Sequence, residues 1–180
     1  MNSRLTKEQS FEKWGIVLDQ TFSLSKLKRG PREVVEMFIE QFPNLPDKKV
    51  GLCIISRSID AFIVASFVSE KLYDKISKAI RVFQVVDYMI NAARYGETAS
   101  TLLQEVDEKI LSADLVIFNE IAPAKYMESQ KLLLYHLISS CISKRKCYII
   151  TANNPIEEIT ENLGSSLIRL ITTYSFMIGV

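Results

Sequence analysis

Asp114-Leu115-Val116-Ile117-Phe118-Asn119-Glu120-Ile121 is the stretch that decides the fold. Four large apolar residues in a row, closed by a polar pair, suit a strand buried on both faces. Such a strand delivers Asn119 and Glu120 to its carboxyl end. Similar runs recur on either side. Val50 to Ile55, Ile80 to Val86, Cys147 to Thr151 and Tyr174 to Val180 each read as a strand. Helical spacing fills the gaps between them. A helix begins at Pro31 and carries Val34, Val35, Phe38, Ile39 and Phe42 on one face, with Pro43 and Pro46 ending it. Ile59 to Tyr73 shows Ile63, Val64, Phe67, Val68 and Leu72 at helical intervals. Asp87 caps a short helix with Met89, Ile90 and Ala93, which Gly96 breaks, and Leu102, Leu103, Val106 and Ile110 mark the next. Tyr126 to Ser143 is a long helix with Gln130, Leu133, Leu134, Leu137, Ile138 and Cys141 inward. Pro155 to Leu163 closes at Gly164, and Ser165 to Ile171 follows. Strands alternating with helices at this spacing imply parallel βαβ units with right-handed crossovers and helices on both faces.

A chain of 180 residues is most simply one domain with a real core. Its net charge of +1 gives no bulk attraction to nucleic acid or to a membrane. No apolar run reaches the ~18 residues needed to span a bilayer, and Met1 to Glu8 lacks the apolar core of a signal peptide. A cytoplasmic location is the expectation. The three cysteines, Cys53, Cys141 and Cys147, lack CxxC spacing and each lies in an apolar segment, so buried free thiols are expected. With one histidine and no ligand cluster, no metal site is expected.

From Phe22 to Val180 the chain resembles the DnaC/DnaI-type bacterial helicase loaders, AAA+ ATPases related to DnaA and to IstB-type transposition helpers. Asp114 to Ile121 stands where that family has a hydrophobic run followed by an acidic pair. Next come the helix Tyr126 to Ser143, the basic turn Lys144-Arg145-Lys146 and the strand end Ile149-Ile150-Thr151-Ala152-Asn153. Glu157-Glu158-Ile159-Thr160-Glu161-Asn162-Leu163-Gly164 matches the closing helix. The resemblance implies a three-layer α/β/α, P-loop NTPase-like domain over residues 31–180 with a five-stranded parallel sheet. The chain stops at the fifth strand, so no C-terminal helical lid is expected. Residues 1–30 form an N-terminal segment ahead of that domain.

The phosphate loop departs from the family. A P-loop needs glycines so that backbone N–H groups can cradle phosphate, a lysine for the β and γ phosphates, and a hydroxyl for magnesium. Here the glycine positions hold Ile55 and Asp60, the lysine position Ala61, and the hydroxyl position Phe62. Arg57 supplies one positive charge without rebuilding the cradle. Asn119 replaces the magnesium-organising aspartate and is a weaker ligand for a hard cation. Glu120 survives at the water-activating position, and Asn153 at the sensor position. These two can equally persist by satisfying backbone groups at strand ends. In the arginine-bearing motif after Leu163-Gly164, Ser165 and Ser166 occupy the start. Arg169 fits only with a one-residue shift and is not assigned as an arginine finger. The expectation is a degenerate nucleotide site at Ile55, Arg57, Asp60, Ala61, Phe62, Asn119, Glu120 and Asn153, with no cofactor and no catalysis.

Three further features remain. Phe11, Trp14, Val17 and Leu18 form one stripe if residues 11–18 are helical; it either packs on the domain or docks a partner through the tryptophan. Lys144, Arg145 and Lys146 read as a solvated turn or as a phosphate-contacting patch. His136 reads as a partly exposed structural side chain, while Phe62, Phe67 and Phe83 read as core. The leading functional expectation is a non-catalytic, loader-like protein of DNA replication that binds a replicative helicase or an AAA+ loader or initiator. It could also sit in a ring with an active ATPase. One alternative is an accessory single-stranded-DNA-binding factor using Lys144 to Lys146 and Lys26-Leu27-Lys28-Arg29. The other is an enzyme built on the strand-end residues Ser56, Asp87, Asn119, Glu120, Thr151 and Asn153.

Overall fold

The computed structural model describes residues 5–19, 21–81, 104, 107–121 and 123–180. Its strands are β1 (Gly51–Ile55), β2 (Ala79–Arg81), β3 (Leu115–Phe118), β4 (Cys147–Ala152) and β5 (Ser175–Gly179). They run parallel in the order β2-β3-β4-β1-β5. The helices are α1 (Lys7–Trp14), α2 (Arg29–Gln41), α3 (Ala61–Lys71), α4 (Glu128–Ser143), α5 (Ile156–Leu163) and α6 (Ser165–Tyr174). The continuation of the second strand to Val86, with Phe83, the cap Asp87, the helix residues Met89, Ile90 and Ala93, the break at Gly96, and Leu102, Leu103 and Val106 lie outside the described residues.

The period of two along each strand divides the core. Leu52, Ile54, Leu115, Ile117, Ile149 and Ile178 face α1, α2 and α3. Cys53, Val116, Phe118, Tyr148, Ile150 and Ala152 face α4, α5 and α6. Helices on both faces make the α/β/α layering expected from the alternation. Gly51 has a specific packing reason: a Cβ there would overlap the Tyr148 ring. Tyr148 lies across β1 and its hydroxyl meets Ser175 Oγ at 2.9 Å, bracing β4 to β5. The three cysteines are free and buried. Burial pushes the thiols of Cys53 and Cys141 up to about 12 and that of Cys147 to about 11. No helix among the described residues is long and apolar enough to cross a membrane.

Several boundaries move. β3 stops at Phe118, so Asn119 and Glu120 follow the strand rather than belong to it. α6 runs to Tyr174, three residues beyond the expected Ile171, because Ile171 still packs in the core and the chain turns only at Ser175. The largest correction concerns the N-terminal segment. Thr6 opens α1 with a capping box shared with Gln9. Gly15 closes it in the left-handed conformation at φ 69°. Val17 and Leu18 therefore leave the helix, and the four-residue stripe does not form. Phe11 and Trp14 are buried against Tyr73, with ring centroids 5.7 and 6.1 Å away, whereas Val17 is 66% exposed. Ile16, Phe22 and Leu27 join the same core. Through these residues the described part of the segment before residue 31 packs on the α/β domain, and α2 already starts at Arg29.

Candidate functional site

β1, β3 and β4 deliver their ends to one side of the sheet, the place where ligands enter open α/β folds. The loop from Ser56 to Asp60 joins β1 to α3 there. Its backbone donors are tied down one after another. Arg57 N–H bonds Val180 O at 3.3 Å. Ser56 Oγ accepts from Ser58 N–H and Ile59 N–H at 3.3 and 3.0 Å and donates to Val180 O at 2.8 Å. At the start of α3, Asp60 Oδ1 accepts from Phe62 N–H at 2.9 Å, and Asn153 Oδ1 accepts from Ala61 N–H at 3.0 Å. Ile63 N–H goes to Asp60 O at 2.9 Å. These first-turn donors are the groups that a helix offers to an anion. Here a carboxylate and an amide of the same chain occupy them, and the Asp60 charge already complements the helix dipole.

Ile55 ends β1, and Ala61 is buried as the first residue of α3. Phe62 is partly buried, with the Arg81 guanidinium stacked 4.3 Å from its ring centroid. Arg81 Nη1 also donates to Gly15 O at 3.3 Å, which links the end of α1 to the start of α3. Arg57 is largely exposed and lies 3.6 Å from Glu157 Oε2. Its charge points to α5 rather than over the loop.

Asn119, Glu120 and Asn153 play different parts. Thr151 Oγ1 donates to Asn119 Oδ1 at 3.0 Å and accepts from Glu120 N–H at 2.8 Å. Ile121 N–H meets Thr151 O at 2.9 Å. Asn119 and Thr151 are buried and bonded to each other. Glu120 is fixed through its backbone at φ 53°, a conformation rare for a non-glycine residue. Asn153 instead belongs to the α3 cap, and its Nδ2 lies 3.4 Å from Asp60 Oδ1. Six of the eight expected residues therefore fall into two bonded groups, Asp60–Ala61–Phe62–Asn153 and Asn119–Glu120, with Thr151 joining the second, while Ile55 and Arg57 belong to neither. Sequence inspection placed Ser56 and Thr151 at strand ends but missed their bracing roles. A polar residue one step past an apolar strand is the available signal for Ser56. Arg81 carried no signal, because its partners lie far away in sequence.

Beside this junction a cavity of about 670 Å³ opens between Ile55, Ile59, Ile156, Ile168 and Met177, rimmed by Lys26, Lys28 and Arg57. His136 is half-exposed on α4, and its Nε2 is hydrogen-bonded to Asp107 Oδ2 at 2.8 Å. Lys144, Arg145 and Lys146 follow α4 and precede the start of β4, with Arg145 at φ 50° closing the turn. In a parallel sheet that is the end opposite the cavity, so the two basic segments do not form one surface. Arg29 is further engaged with Glu33 at 2.7 Å, and Lys26 Nζ with Thr21 O at 2.8 Å.

No family model matches the sequence, and no curated protein matches it. Solved structures do match. The crystal structure of the DnaC helicase loader superposes with a TM-score of 0.69 at 14% identity, covering 94% of this chain and 98% of that one. The crystal structure of DnaI gives 0.66 at 10% identity, with 91% and 95% covered. The replication initiator DnaA bound to AMPPCP and single-stranded DNA gives 0.67 at 13% identity; it covers 91% of this chain, which spans 50% of that structure. The chain shares the parallel α/β fold of these three solved structures, as the resemblance implied.

Proposed function

We propose that this chain acts in DNA replication as a non-catalytic, loader-like protein whose work is binding, with a replicative helicase or an AAA+ loader or initiator as its partner. One observation carries the loss of catalysis: Asp60 and Asn153 cap the α3 N-terminus that a nucleotide phosphate would otherwise occupy. A phosphate entering there must displace a carboxylate held by the helix dipole, and must do so against that carboxylate's own charge. No lysine lies between Ser56 and Phe62 to offset the repulsion. A retained fold without a phosphate site leaves its surfaces as the functional part. The helicase loaders and the initiator that share this fold make a replication protein the natural partner.

Calorimetry of the full chain with ATP and magnesium tests the first half. No heat above dilution is expected, and a dissociation constant of about 10 µM or tighter would sink the reading. Mixing with purified replicative helicase and sizing the complex tests the second half. Co-migration without added nucleotide is expected; co-migration only with ATP present contradicts the proposal.

A further inference from the structure

β5 pairs with β1 alone among the described residues and forms one edge of the sheet. Val50 N–H bonds Tyr174 O, and Val180 N–H bonds Ile55 O. In a parallel ladder this directs the even-numbered residues of β5 toward β1 and the peptide groups of Met177 and Gly179 away from it. Natural edge strands block added pairing with charge, proline or a bulge. Lys49 Nζ takes the first outward carbonyl, Ser175 O, at 3.1 Å; beyond it Phe176-Met177-Ile178-Gly179 contains no charge and no proline, and Met177 and Gly179 are exposed. Open space adjoins the strand on both faces. One side is the cavity of about 670 Å³. The other is a groove of about 600 Å³ along Gly30, Val34 and Met37 of α2.

We propose that this edge is a dimerisation surface, and that a second copy of the chain pairs with it β5 to β5, antiparallel, about a two-fold axis normal to the sheet. The charge pattern of α2 selects a second copy over a foreign strand. α2 leads through residues 42–50 into the start of β1, so it runs antiparallel to β1 and β5. The two-fold axis sets the α2 helices of both copies side by side and antiparallel on one face. Lys28 and Arg29, the latter bonded to Glu33 at 2.7 Å, stand exposed at one end of α2, and Glu40 at the other. The operation therefore lays the basic end of each helix against the acidic end of its mate, with Val34 and Met37 between them. Self-complementarity of this kind is what an isologous interface requires.

Sedimentation velocity of the full chain across a concentration series is the test. A concentration-dependent dimer is expected. Met177→Pro removes an outward N–H without touching the β1 ladder, and should weaken the dimer by about tenfold or more while the circular dichroism spectrum stays unchanged. If the proline variant fails to fold, Met177→Lys places a charge on the same edge and should give the same loss. Arg29→Glu and Glu40→Arg should each weaken the dimer, and the double variant should regain it, since both partners swap across the axis. A chain that remains monomeric at about 100 µM, a dimer indifferent to both Met177 variants, or a double variant no better than the singles overturns the proposal. An edge found to take an extended foreign peptide in place of a second copy overturns it equally.

Discussion

The β1–α3 junction and the outer edge of β5 meet at Val180, yet they leave their backbone groups in opposite states. At the junction, the N–H groups of Arg57, Ser58, Ile59, Ala61, Phe62 and Ile63 all bond within the chain. At the edge, Met177 and Gly179 present peptide groups outward beside apolar space. Backbone polar groups are obligatory hydrogen bonders, so their state shows where a partner can still be accommodated. The N–H groups that open α3 are satisfied from inside the chain, and the outward-facing peptide groups lie one strand over, on β5.

The closed half can be tested from its support inward. Trp14 packs on Tyr73 at the end of α1, and the next residue, Gly15, holds Arg81 over Phe62. Trp14→Ala should cost about 3 kcal/mol, the range of large aromatic truncations in a core, read as a lowered midpoint in denaturant. A variant with unchanged stability but weaker partner binding would restore the stripe as a docking element and break the comparison. Asp60→Ala comes next. It strips the cap from Phe62 N–H and should cost about 1 kcal/mol. It should not create ATP affinity, because Asn153 still holds Ala61 N–H. Pairing it with Asn153→Ala should give a non-additive loss, since the two side chains touch; strict additivity would mean that the cap is not a unit. Glu120→Gln carries the smallest effect. Glu120 is held through its backbone N–H, so stability should change by about 0.5 kcal/mol or less and helicase association should stay the same. Loss of function with intact stability would reopen the strand ends as a catalytic site.

Much of this was legible from local pattern. Runs such as Leu52 to Ile54 and Leu115 to Phe118 suit strands covered on both faces, and the loop Ser56 to Phe62 lacks the glycines and the lysine of a P-loop. The stripe at Phe11 to Leu18 was misread because helical spacing was extended through Gly15, whose positive φ ends the helix. Asn153 satisfies a backbone group, as one reading of the strand ends had it, but that group is Ala61 N–H of the α3 cap, a contact spanning 92 residues.

By itself, the sequence determined the α/β alternation, the core residues and the residue types of the loop between β1 and α3. These depend on side-chain type and on periodicities of 2 and 3.6 residues, which are local properties. Only the tertiary structure decided which side chains cap α3, where Trp14 packs and which strand is left on the edge. Each of these depends on pairing between residues far apart in the chain. Periodicity along one segment carries no information about which distant segment will lie beside it.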